Sequence, residues 1–296
     1  MGLIVPKTSD GRVLFFLPWE DSTLCGTTDS ETEITMTPRA TGEDVRFILD
    51  EANRFLAPEH TVLPSHVRAA WSGIRPLVVS AEAAKKAREE KGKGEKESST
   101  KDYTRSHDVE VGPSGLVSIL GGKWTTYRSM AQDTVDALLS HVNALVMKAR
   151  EAGCKTLGMT FVGSDRNAGW TPKHRYDLID IALREDDGID RDTAYHLRSN
   201  YGLRAIEIAS LISERPELGK KLHRRHPMLR AEVVFAVQQE MAVHALDVIA
   251  RRTRLAFVDA EAAKEAAPRV IDIMARECGW SSTRKAQELE DVHEFL

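Results

Sequence analysis

The 296 residues carry 41 lysines and arginines against 45 aspartates and glutamates, a formal net charge of -4, with 42% hydrophobic and 29% charged positions. This is an ordinary globular balance, long enough for one large or two modest domains, and it argues against nucleic acid as a partner. Three widely separated cysteines argue against a disulfide framework or a zinc site and favour a reducing compartment. No stretch approaches the about 18 consecutive apolar residues of a spanning helix, so any membrane contact is expected to be peripheral.

In chain order, residues 12–29 predict a hairpin, with strands over 13–17 and 23–27 and a turn over 18–22. Residues 39–56 change period: Val45, Ile48, Leu49, Ala52 and Phe55 recur at helical spacing behind a Thr41/Asp44 cap. That helix is expected to lie on a sheet. Residues 62–79 return to extended structure, with Gly73 and Pro76 framing Arg75. Residues 81–101 alternate lysine and glutamate around Gly92 and Gly94. They hold too little apolar surface to offset ordering, which predicts a solvated, mobile charged insertion. His107–Val111 and residues 116–120 predict a second hairpin around Gly112-Pro113-Ser114-Gly115.

The second hairpin empties into Gly121-Gly122-Lys123-Trp124-Thr125-Thr126-Tyr127-Arg128-Ser129-Met130-Ala131. A helix is expected over 129–151, striped by Val135, Leu138, Leu139, Val142, Leu145 and Val146 and stopped by Gly153. Unpaired N–H groups at such a helix start favour an anion or an electron-rich ring atom, the paired glycines admit a planar ligand, and Lys123 adds a full charge. Val117 and Trp124 stand where a phosphate-binding loop needs Gly and Ser or Thr, which excludes a nucleotide triphosphate loop. An ordinary strand-to-helix turn with a surface lysine explains the local pattern equally well.

Residues 154–173 form a connector in which Phe161-Val162-Gly163 suggests one more short strand. Beyond it, helices are expected over 174–184, 190–200, 203–214, 228–252, 259–278 and 281–295. The fold class is therefore α+β: a mixed or antiparallel sheet with helices over 1–153, then an all-α domain over 174–296.

The loop string, together with Ser9-Asp10-Gly11-Arg12-Val13-Leu14-Phe15-Phe16-Leu17-Pro18-Trp19, Gly26-Thr27-Thr28-Asp29, Ala70-Trp71-Ser72-Gly73-Ile74-Arg75-Pro76-Leu77 and Arg251-Arg252-Thr253-Arg254-Leu255-Ala256-Phe257, resembles the FAD-dependent glycerol-3-phosphate dehydrogenases. The resemblance implies FAD as cofactor and oxidation of the C2 hydroxyl of glycerol 3-phosphate to dihydroxyacetone phosphate. Hydride would pass to flavin N5 and electrons on to quinone, at the mitochondrial inner membrane with peripheral contact; a homodimer is compatible with it. No G-x-G-x-x-G occurs here, so the chain is expected to be a C-terminal portion, inactive alone, whose dinucleotide-binding half lies upstream.

The same resemblance assigns residues. Arg75 and Arg105 would hold the substrate phosphate through bidentate guanidinium bonds, with Lys101 as the alternative if the register slips. Lys123 would lie over the substrate as the principal catalytic group, with Arg75 beside it. Gly121, Gly122, Thr125 and Thr126 would face the flavin, and Thr28 the substrate or flavin. His107 would share a strand face with Arg105, either assisting proton transfer or merely packed. Arg251, Arg252 and Arg254 are expected to snorkel or to pair with carboxylates rather than bind an anion. No metal site is expected. An oxidase that passes electrons to oxygen, and a non-catalytic helical interaction module over 174–296, are the alternatives.

Overall fold

The computed structural model describes residues 2–30, 32–75, 106–141, 152–164, 172–186 and 188–296. The charged stretch 81–101, Arg105 with Lys101, Pro76, and the far half of the helix expected to reach residue 151 lie outside the described residues. Chain contacts form two compact units, Met1–Gly73 with Phe161–Leu296, and Ile74–Thr160. This grouping cuts across the linear division 1–153, 154–173 and 174–296, because the first 73 residues find packing partners in the C-terminal half.

Strands β1 (Leu3–Val5), β2 (Leu14–Trp19) and β3 (Ser22–Gly26) form an antiparallel sheet in the order β1-β2-β3. Val5 lies opposite Leu14, and this pair is the buried seam of the sheet. The hairpin turn is tighter than the expected 18–22. Pro18 stays in strand opposite Thr23, and only Glu20 and Asp21 turn, with Glu20 left-handed at φ 50°. Pro18 is tolerated because β1 pairs only with residues 14–16, leaving no ladder bond to lose on that side.

Helix α1 (Gly42–Asn53) begins at the expected cap: Asp44 N–H donates to Thr41 Oγ1 at 3.1 Å, and Thr41 N–H donates back to Asp44 at 3.3 Å. Side chains of α1 meet Ser9 and Arg12 of the segment before β2. Buried Glu51 accepts the Ser9 N–H at 3.3 Å and pairs with Arg54 at 3.1 Å, while the Arg12 guanidinium lies 4.7 Å from the Phe47 ring centre. Beyond α1, no described residue of 62–75 joins a sheet; Pro64–His66 is a single 3-10 turn. Asn53 closes this segment, its amide exchanging two hydrogen bonds with the Val62 backbone at 2.8 and 3.0 Å.

In the other unit, β4 (His107–Val111) and β5 (Val117–Gly121) form the second hairpin, with His107 opposite Gly121 and Val111 opposite Val117. A 3-10 turn, Trp124–Thr126, leads into helix α2 (Tyr127–His141), two residues earlier than expected.

The connector does not form the expected strand at 161–163. Phe161 and Val162 are exposed, and Gly163 instead docks its carbonyl onto Leu203 N–H at 3.0 Å. Among the described residues six helices of ten or more residues follow, α3 (Pro172–Ile181), α4 (Arg191–Tyr201), α5 (Ala205–Glu214), α6 (Arg230–Glu240), α7 (Ala260–Cys278) and α8 (Ser282–Phe295), with a single helical turn, Leu255–Val258, just before α7. Their apolar faces enclose one core around Leu183, Leu197, Ile208, Phe235, Ile249 and Met274. Each such side chain contributes about 1.5–3 kcal/mol relative to exposure.

The helix expected over 228–252 is broken after Glu240. Met241 turns left-handed, Val243 and His244 N–H donate to Asp247 at 3.0 and 2.9 Å, and Ala245 N–H donates to buried Glu288 at 2.7 Å. These carboxylates replace the carbonyls a continuous helix would have supplied. A π-helical turn, Asp247–Arg252, then resumes the path.

A second buried carboxylate, Glu232, organises the bundle. It accepts from Leu229 N–H at 2.6 Å and Tyr201 Oη at 2.9 Å, and meets His196 Nε2 at 2.8 Å. Burial first, and then the Glu232 charge, keep the Tyr201 phenol protonated far above its usual range. As expected, the arginine cluster is paired: Arg251 with Asp247 at 3.0 Å, Arg252 with Glu240 at 3.0 Å, and Arg254 with Glu20 at 2.7 Å. Cys25, Cys154 and Cys278 are free thiols.

Candidate active site

The loop between β5 and α2 is shaped by its two glycines. Gly121 and Gly122 take φ 68° and 83°, a region in which an L side chain is strained, and they reverse the chain as it leaves the ladder. A Cβ on Gly122 would stand 2.6 Å from Met130 Sδ and 3.1 Å from His107 Cβ. The bare face of Gly122 is thus filled by protein, so closeness of packing, rather than room for a planar ligand, requires glycine there. Gly122 N–H donates to Ser106 O at 3.2 Å.

Lys123 follows in extended conformation, φ -118° and ψ 141°, immediately before the 3-10 turn. Its carbonyl accepts both the N–H and the hydroxyl of Thr126 at 2.9 Å, which spends the Thr126 side chain on the turn. The Lys123 side chain is exposed and, among the described residues, has no carboxylate partner. Thr125 is exposed. Trp124 and Tyr127 stack with ring centres 5.6 Å apart, and Trp124 is 86% exposed. The outer side of the loop therefore combines an exposed ammonium, an aromatic pair and the first turn of a 15-residue helix. That set suits a flat, electron-rich or anionic ligand.

Arg128 points into the unit, donating to Gln132 Oε1 at 2.8 Å and Thr156 Oγ1 at 3.0 Å. Cys154 Sγ lies 3.0 Å from the same Thr156 hydroxyl. That hydrogen bond and the nearby Arg128 charge lower the thiol pKa. Arg75 is exposed and belongs to the same unit as Lys123. Thr28 belongs to the other unit; there the Thr41 hydroxyl, with Thr28 as a lesser influence, lowers the Asp44 pKa.

The pair His107–Asp133, 2.7 Å apart, was invisible in the sequence as a pair. The residues are 26 positions apart and belong to a strand and a helix. Only the helical spacing of Met130 and Asp133, three apart on one face, hinted that both would meet the hairpin.

A family model described as FAD dependent oxidoreductase matches residues 2–128, and one described as the C-terminal domain of alpha-glycerophosphate oxidase matches 154–285. Mouse mitochondrial glycerol-3-phosphate dehydrogenase is 42% identical over 300 aligned positions, which cover 100% of this chain. The chain is homologous over its whole length to the mitochondrial glycerol-3-phosphate dehydrogenases. The human mitochondrial glycerol-3-phosphate dehydrogenase is 40% identical over the same span. The chain spans 37% of the length of these two relatives. The crystal structure of the glycerol-3-phosphate dehydrogenase from Bacillus halodurans complexed with FAD superposes with a TM-score of 0.75 at 25% identity, covering 99% of this chain and 52% of that one. The expected α+β architecture with a C-terminal helical domain is the architecture of this fold.

Proposed function

We propose that this chain carries the substrate-facing loop and the helical domain of a flavin-dependent dehydrogenase of glycerol 3-phosphate. The observation that carries the reading is the exposed Lys123 ammonium, without a carboxylate partner among the described residues, at the β5–α2 turn of a chain homologous along its whole length to such enzymes. FAD is the cofactor in this reading, and when bound it supplies the hydride acceptor. Lys123 holds the negative charge that develops on the C2 oxygen as its proton leaves. Arg75 and Arg105 bind the phosphate dianion. Gly121 and Gly122 aim the loop. Thr125 and the α2 start face the flavin, where the helix dipole favours a negatively charged reduced ring, while Thr126 holds the turn.

The sequence segments 1–153 and 174–296 are proposed as the FAD/substrate part and the helical domain, with family-model borders at 128 and 154 in support. Quinone as acceptor, a mitochondrial location with peripheral membrane contact, and activity only together with a dinucleotide-binding half complete the proposal. No described helix is long and apolar enough to cross a membrane.

The experiment is reconstitution. The chain is co-expressed with the glycine-rich half of a mitochondrial relative, loaded with FAD and supplied with glycerol 3-phosphate. Reduction of a quinone or dye supports the proposal, and a flavin that stays oxidised refutes it. The oxidase description of the 154–285 match favours one second reading, electron transfer to oxygen; peroxide formed in proportion to substrate would select it.

A further inference from the structure

The loop that presents Lys123 is held at both ends by features the proposed chemistry does not use. At its entry, Gly121 pairs with His107 in the ladder and Gly122 N–H bonds Ser106 O at 3.2 Å. Beneath it, Met130 and His107 Cβ fill the space a side chain on Gly122 would need. At its exit, α2 returns Asp133 to the same strand, where Oδ2 meets His107 Nε2 at 2.7 Å.

Met130 and Asp133 lie on one helical face, so this face meets the Gly122 backbone by an apolar contact and β4 by a polar one. The apolar contact fixes the distance of the helix from the hairpin. The polar one is directional and fixes its rotation, and with it the azimuth at which the loop projects Lys123. His107 is 23% exposed and Asp133 51%, so the bond adds little to global stability, as half-exposed pairs do. Its effect is local.

We infer that His107 and Asp133 are a positioning pair for the Lys123 loop: strand and helix are locked by this bond so that the ammonium is presented in one orientation. The inference rests on the proposed role of Lys123 for its functional meaning, though the lock itself does not. A misplacement of about 1 Å at a reacting group is costly enough to make such a lock matter.

The test is amide hydrogen exchange on the 296-residue chain. His107→Ala and Asp133→Ala are expected to raise exchange at Gly122 and Thr126 about fivefold, the worth of one half-exposed hydrogen bond, and the double variant by no more than either single one. His107→Gln, whose amide also donates, is expected to restore protection. Amides in α7 serve as the internal reference and should not change. In FAD-loaded protein containing the chain, both alanine variants should lower kcat for glycerol 3-phosphate with KM and flavin absorbance unchanged. Unchanged exchange at the loop would overturn the inference. So would a rise shared equally by α7, which marks a mere fold contact, or faster loop exchange with unaltered kcat. A Lys123→Ala protein with normal kinetics would instead refute the proposed function and leave the exchange result standing.

Discussion

Gly163 and Gly202 lie backbone to backbone. A side chain on Gly202 would collide with the Gly163 carbonyl, and a Cβ on Gly163 would stand 2.5 Å from Tyr201 O. Gly202 also sits at φ 57° and ψ -131°, a conformation only glycine adopts without strain. Gly202→Ala is therefore expected to lose about 2–4 kcal/mol, combining backbone strain and overpacking. The urea midpoint of the purified chain measures it.

Lys123→Ala should leave the melting temperature within about 1 °C, because the side chain is exposed, where substitutions are nearly neutral. Turnover of glycerol 3-phosphate should fall about 100-fold if the ammonium carries oxyanion charge. Steady-state dye reduction beside a thermal melt separates the two effects, and Arg75→Ala should appear mainly in KM.

At Gly122 two causes can be told apart. Gly122→Ala meets both the φ of 83° and Met130, and is expected to cost about 2–3 kcal/mol in all. Shortening Met130 to alanine in the same protein should remove the collision term and leave the backbone term of about 1 kcal/mol. A double-mutant cycle in urea shows whether this coupling exists.

His196 predicts a pH slope. Burial disfavours its charged ring, but the Glu232 charge and hydrogen bond outweigh burial and lift the pKa above 6.5. A folded-state pKa above the unfolded one means the protonated ring stabilises the fold. That contribution is whole below pH 6.5 and is lost as pH rises through the folded value. The urea midpoint should accordingly fall as pH rises above about 6.5, and His196→Gln should flatten that part of the profile.

Thr41→Ala removes the hydroxyl that caps α1 and bonds Asp44. A loss of about 1 kcal/mol is expected. Thr41→Asn should recover most of it, as read by circular dichroism during urea unfolding.

What was legible in the sequence was local. The Thr41/Asp44 box, both hairpins, the glycine pair ahead of Lys123 and the extent of α7 all follow from neighbours in the chain. The break after Glu240 was not legible: the apolar stripe runs on through Val248 and Ile249, and the groups that end the helix include Glu288, 43 residues away from Ala245. Gly163 looked like part of a strand because its partner, Gly202, closes a helix elsewhere in the chain. At the candidate site, Lys123 stood out by residue type and position, whereas the Asp133 contact to His107 depends on helix rotation, which spacing alone cannot fix.

The ties from Arg254 to Glu20, from Ala260 N–H to Arg68 O, and from Arg39 to the Glu294 carbonyl bind the first 73 residues to the last forty-odd. During synthesis, that opening segment emerges first and then waits for its partners. At about 5–20 residues per second the delay is roughly 10–40 s. Throughout it, Trp71 stands without Phe257 and Trp19 without the Arg254 guanidinium near the ribosome exit, which makes the nascent chain a client for holding chaperones and makes translation speed a determinant of its yield.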